Sequence, residues 1–234
     1  MRKYDFIYFI GDSFTFGVDQ SDDLQKEVTF ENRFSQLVAN EFNLTLVNHA
    51  KAGCSNDFIA RTITNDMLDY KKEGLNPLVV VSYTWSNRRE IWDNKSHSAQ
   101  TLQEYMPIWK EYIINHHDKP GYQNYNDVIT RYHMASIHHL LKYLDYDFVE
   151  TWSGDPVYNT QLDTKTVILP NFIHTVLQEG CFRASGSGDG TPDPIQVGRE
   201  NPLEFPYDHY GHLNVRGNQM ISKIIIDKIN ELYG

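Results

Sequence analysis

The stretch "YDFIYFIGDSFTFGVD", residues 4–19, decides how the rest of the chain is read. Its apolar run "FIYFI" at 6–10 stops at Gly11-Asp12-Ser13, and small residues return at Thr15 and Gly17. Consecutive apolar positions ended by a turn are what a strand buried on both faces requires. The turn places a serine directly after that strand. Such a serine can form the turn, cap a helix or act as a nucleophile, and other segments must decide among the three.

Outward from this strand the period changes and changes back. Phe30, Phe34, Leu37, Val38 and Phe42 recur at helical spacing and predict an amphipathic helix of about 13 residues. "LTLVNHA" (44–50) reads as a second strand. Ser55, Asn56 and Asp57 are suited to cap a helix carrying Phe58, Ile63, Met67 and Leu68, and "PLVVVSYT" (77–84) reads as a third strand. Strands alternating with helices predict βαβ units, a parallel sheet and the α/β class. From 99 to 145 the pattern predicts a helical, aromatic-rich insertion of two helices, broken at Pro120-Gly121 and ending near Asp145. "DYDFVETW" (145–152) is the candidate fourth strand. The segment 153–206 is irregular, with "ASGSGDGTPDP" (184–194) as a flexible loop. Asn214 is placed to cap a last helix whose apolar face is Met220, Ile221, Ile224, Ile225 and Ile229.

The bulk numbers exclude several classes. With 234 residues, 40% hydrophobic and 22% charged, the chain is expected to fold as one domain over 1–234. A formal charge of -10 with no basic run argues against a nucleic-acid partner. The apolar stretch of the N-terminus is too short for a secretory signal or a membrane span, so a soluble, cytoplasmic protein without membrane association is expected. Cys54 and Cys181 sit in no paired motif, which predicts neither a disulfide nor a zinc site. His133, His138 and His139 lack the i, i+4 spacing of a helical metal site. No metal or cofactor is expected, and oligomeric state has no signature here. Tyr105, Trp109, Tyr112, Tyr122, Tyr125 and Tyr132 are candidates to fill a core or to shape a substrate groove.

In an open parallel sheet, ligands lie outside the carboxyl ends of the strands. The turn after the first strand offers Ser13; the turn in "NHAKAGCSND" offers Gly53; the turn in "TWSNRR" offers the Asn87 amide. Before the last helix, "YDHYGHLNVRGN" adds Asp208, His209 and His212. Serine hydrolysis needs a hydroxyl, an imidazole to take its proton, a carboxylate to orient the imidazole, and fixed donors for the oxyanion.

With these residues assembled, "FIGDSFTFG" resembles the first block of the SGNH, or GDSL, hydrolases, G-D-S-x-T-x-G, in Gly11, Asp12, Ser13, Thr15 and Gly17. "LVNHAKAG" is similar to the second block through Asn48 and Gly53, and "HLNVRG" to the last through His212, Asn214 and Gly217. The resemblance implies a three-layer α/β/α flavodoxin-like fold with a mostly parallel central sheet. It also implies Ser13 as nucleophile, His212 as base, Asp208 as orienting acid, and an oxyanion hole from the Ser13 and Gly53 N–H groups and Asn87. The family includes lipases, carbohydrate acetylesterases and thioesterases. The polar, aromatic-rich composition directs the expectation to short acyl esters such as O-acetyl groups of carbohydrates. An acyltransferase on the same fold, or a non-catalytic carbohydrate-binding or structural module, are the alternatives.

Two blocks depart from the family's pattern. The third is usually Gly-x-Asn-Asp, whereas "SYTWSNRRE" puts Ser86 at the Asn position by counting and Asn87 there by residue type. The last is usually Asp-x-x-His, whereas Asp208 lies four positions before His212 and His209 three. A one-residue bulge would restore the contact.

Overall fold

The computed structural model describes residues 4–17, 29–86, 88–93, 98–102, 122–153, 164–166, 213 and 215–234. Its centre is a wholly parallel sheet of β1 (Phe6–Ile10), β2 (Leu46–Asn48), β3 (Pro77–Tyr83) and a later strand, β6 (Phe148–Trp152), in the order β2-β1-β3-β6. Tyr8 pairs with Val47 on one side and Val79 on the other, and Val81 pairs with Glu150. This is the flavodoxin-like order, in which the chain leaves β1 toward one edge and leaves β3 toward the other.

Alternation along the strands makes two cores. Ile7, Phe9, Leu78, Val80 and Val149 face Phe34 and Val38 of α2 (Phe34–Glu41) and Ile221, Ile225 and Ile229 of α5 (Val215–Tyr233). Phe6, Tyr8, Val79, Val81, Tyr83 and Phe148 face Ile59, Ile63 and Met67 of α3 (Asn56–Glu73) and Met134, Ile137 and Leu141 of α4 (Tyr122–Tyr143). Both faces of the sheet are covered, which is why "FIYFI" is apolar at every position rather than at every second one.

The helix expected around Phe30 begins later. Phe30 is 68% exposed and lies outside α2, which starts at Phe34. Arg33, at the N-cap position, has no capping side-chain bond, and the Phe34 N–H instead donates to Asn218 Oδ1 at 2.9 Å. Asn218 belongs to α5, so the α2 start is set by a partner 184 residues away. The second strand is likewise shorter than 44–50. Ser55 caps α3 as expected, its hydroxyl accepting from the Phe58 N–H, and Gly74 closes the helix at φ 75°.

The region expected to be helical from 99 opens instead with a strand. β4 (Arg89–Asp93) and β5 (Ser98–Leu102) form an antiparallel hairpin apart from the main sheet, with Arg89 opposite Leu102. The hairpin is clipped to α3 by charge. Asp57 accepts from the Glu90 N–H at 2.8 Å and from Arg89 Nε at 3.0 Å, and Arg61 makes two bonds to the Glu90 carboxylate. His133 Nε2 on α4 meets the other Asp57 oxygen at 2.8 Å. Burial works to raise the Asp57 pKa, but the His133 bond, the Glu90 N–H and the Arg89 charge outweigh it and hold it below the ordinary range.

A second buried polar group ties α4 to β6. Glu150 is wholly buried, with His138 Nδ1 at 2.7 Å, the Tyr83 hydroxyl at 2.9 Å and the Thr166 hydroxyl at 3.2 Å. Burial first, then the Glu150 charge and hydrogen bond, push the Tyr83 pKa well up, so the phenol stays a donor. His133 and His138 thus each serve a carboxylate. Among the described residues, no helix is long and apolar enough to cross a membrane. The loop at 184–194 and the stretch 103–121 lie outside the described residues.

Candidate active site

The switch point of the strand order falls between β1 and β3, and the carboxyl ends of these strands are where open α/β sheets take their ligands. The turn after β1 comes first. Asp12 is the N-cap of a single-turn helix, α1 (Ser13–Phe16), its Oδ1 accepting from the Phe14 N–H at 3.1 Å. Gly17 ends the turn in the left-handed region at φ 71°, its N–H on the Ser13 carbonyl. Gly11 has no room for a side chain: a Cβ there would lie 2.4 Å from Thr15 Oγ1 and 2.9 Å from Ser82 Cβ. The spacing Gly-Asp-Ser-x-Thr-x-Gly is therefore a packing solution for a tight strand-to-helix turn. Within it Asp12 and Thr15 are 0% exposed, and Ser13, also buried, keeps 8%.

The second turn is strapped onto the first. Asn48 Nδ2 donates to the Thr15 carbonyl at 3.0 Å and to Ser35 Oγ at 3.3 Å, and Asn48 Oδ1 accepts from the Ala50 N–H. The Lys51 N–H donates to the Gly11 carbonyl at 2.9 Å, and the Cys54 thiol donates to the same oxygen at 3.2 Å. Gly53 between them has φ 68°, a conformation glycine adopts without strain. Cys54 is a poor nucleophile here. Burial, then the Asp12 charge, push its thiol pKa up, against the weaker pull of Arg88 and Lys51.

The third turn holds both others. Asn56 pairs with the Thr84 backbone in both directions, accepting from its N–H and donating to its carbonyl at 2.9 Å each. The Thr84 hydroxyl donates to Asp12 Oδ2 at 2.8 Å. Arg88 donates to Thr84 Oγ1 at 3.0 Å, has Nη1 3.4 Å from Asp12 Oδ2, and lies over Trp85 at 4.5 Å from the ring centre, that ring being 6.0 Å from the ring of Phe14. Ser86 is half-buried in this turn.

Of the residues expected from sequence, Ser13 and Gly53 are thus carried by turns bonded to one another through Gly11. Asn87, Asp208, His209, His212 and Asn214 lie outside the described residues. Sequence reasoning missed Thr84 and Arg88 and read Asn56 only as a helix-cap candidate. Arg88 left a trace in the basic pair of "SNRRE", but a hydroxyl or amide bonding across turns leaves no spacing to read.

No protein-family model and no curated protein sequence matches the chain. Among solved structures it is similar to TesA, at 11% identity and a TM-score of 0.48, covering 97% of this chain and 98% of that one. It is similar also to the psychrotrophic esterase EstA from Pseudoalteromonas sp., at 10% identity and a TM-score of 0.47, covering 97% and 98%. A third is an acetyl xylan esterase, Est2A, from the rumen bacterium Butyrivibrio proteoclasticus, at 11% identity and a TM-score of 0.48, covering 99% of this chain and 66% of that one. Likenesses this distant do not bear on the chemistry of the site.

Proposed function

We propose that the chain is an ester hydrolase of the SGNH type that works through an acyl-enzyme on Ser13. The observation that supports this most is the turn itself. Ser13 stands at the carboxyl end of β1, beside the switch point, in a Gly-Asp-Ser turn whose Asp12 is buried and accepts a hydrogen bond on each carboxylate oxygen. In the proposed reaction His212 takes the Ser13 proton as Oγ bonds the ester carbonyl carbon. The carbonyl oxygen becomes an anion facing the N–H groups of Ser13 and Gly53 and the amide of Asn87. The carbon–oxygen bond to the alcohol then breaks, and His212 returns the proton to the leaving alcohol. Water, activated by the same imidazole, releases the acid, with Asp208 orienting the ring throughout. Short acyl groups such as the O-acetyl of a carbohydrate are the proposed substrates.

A fluorophosphonate probe tests the reading by intact mass and peptide mapping. One adduct on Ser13 is expected, lost in Ser13→Ala and His212→Ala, with hydrolysis of para-nitrophenyl acetate falling by about 10³ or more in each variant. Absence of both adduct and hydrolysis in the folded parent would sink it. A para-nitrophenyl series peaking at long acyl chains would overturn the short-acyl assignment alone.

A further inference from the structure

Two cations are carried by the turns at the carboxyl ends of the central strands, in a chain whose formal charge is -10. Arg88 comes from the third turn and Lys51 from the second. Arg88 reaches both sequence neighbours of Ser13, Asp12 directly and Phe14 through Trp85: its Nη1 lies 3.4 Å from the Asp12 carboxylate, and its guanidinium covers Trp85, whose ring meets that of Phe14. Lys51 donates its backbone N–H to Gly11, and its ammonium lies 5.5 Å from the Phe58 ring centre. Both charges are felt at the Cys54 thiol, which is itself bonded to the Gly11 carbonyl.

The neighbouring basic residues are spoken for: Arg89 and His133 by Asp57, Arg61 by Glu90. Lys51 makes no ion pair among the described residues. The Arg88 contact to Asp12 is longer than an ordinary charge-assisted bond, and Asp12 already receives the Phe14 N–H and the Thr84 hydroxyl. Asp12 is 0% exposed, whereas the Arg88 side chain is 28% exposed. A molecule reaching these turns therefore meets the guanidinium and not the carboxylate. The contact with Trp85 and the Thr84 bond hold that guanidinium in one orientation, so less of its rotamer freedom is left to lose on binding.

We infer that Arg88 and Lys51 form an anion-recognition subsite beside Ser13, so that the ester taken there carries a carboxylate or a comparable anionic group close to the scissile bond. The inference rests on the hydrolase reading for the identity of the reaction, and it names the substrate class. The anion belongs either to the acyl part or to the alcohol part, as in an O-acetylated acidic sugar.

The test compares kcat/KM for matched pairs. On the acyl side, para-nitrophenyl hemiglutarate is set against the pentanoate; on the alcohol side, O-acetylated glucuronate against O-acetylated glucose. Wild type should prefer the anionic member of at least one pair. For a partly exposed cation the preference should fall about fivefold in Arg88→Gln, fall less in Arg88→Lys, and weaken in Lys51→Gln and with added salt. The loss should appear in KM for the anionic ester, whereas a merely structural role for Arg88 would lower both members alike. A ratio unchanged by all three variants, with Ser13 still labelled by fluorophosphonate, overturns the subsite and leaves the hydrolase reading standing. Without labelling or turnover, phenylglyoxal modification decides: slower modification of Arg88 in the presence of glutarate supports the subsite, and an unaltered rate overturns it.

Discussion

Gly11 shows how much one residue without a side chain decides. The carbonyl of Gly11 collects the Lys51 N–H and the Cys54 thiol, and its missing Cβ makes room for Thr15 and Ser82. Neither neighbour is the far end of a flexible side chain, so neither can swing aside. Gly11→Ala is expected to cost about 1–3 kcal/mol through overpacking. It should also misplace Ser13, so that urea denaturation and fluorophosphonate labelling fall together. A variant as stable and as reactive as the parent would show that the turn gives way. The Gly-Asp-Ser motif was legible in the sequence because a turn that tight admits few residues. The pairing of Thr84 with Asn56 was not legible, because a cross-turn bond constrains partners far apart in the chain and imposes no local pattern.

At the scale of elements, α3 is the piece through which the site and the hairpin are joined. Its first turn gives Asn56 to Thr84 on one side and Asp57 to β4 and α4 on the other. The Asp57 pKa is lower in the folded protein than in the unfolded chain. Its contribution to stability is therefore present in full above the unfolded value of about 3.9, and is lost as pH falls from there through the folded value. Between pH 6 and pH 3 the parent should lose more stability toward urea than Asp57→Asn does, and parallel profiles would refute the assignment. The strand-helix alternation that marks the sheet was readable because a short apolar run bounded by a turn and a 3.6-residue period are both local patterns. The hairpin was not: among the described residues its two strands pair with each other rather than with the main sheet, and β5 read as the start of a helix.

Across the whole molecule, the sheet divides the apolar interior into two cores that share strands but not side chains. Ile225 lies on one side and Ile63 on the other, both fully buried. Each changed to Ala should cost about 2–5 kcal/mol, the spread reflecting how far each cavity collapses. The two losses should add within about 0.5 kcal/mol, since the side chains face opposite layers. A larger coupling energy in the double variant would mean that the sheet transmits strain between layers.

Sequence alone was enough for the α/β class, for β1, β3 and β6, for the long helices at 56–73 and 215–233, and for Ser13 as the residue to question. Each of these follows from a pattern within some twenty neighbouring positions, where burial and hydrogen bonding act through the chain itself. Only the tertiary structure decided where α2 begins, because its first N–H is capped by Asn218 from the far end of the chain. It also decided the strand order, and with it the switch point beside which Ser13 stands. The charge beside that serine is likewise tertiary. Arg88 is one of two adjacent arginines in the sequence, and what separates them is that Asp57 lies within reach of one and the Thr84–Asp12 pair within reach of the other.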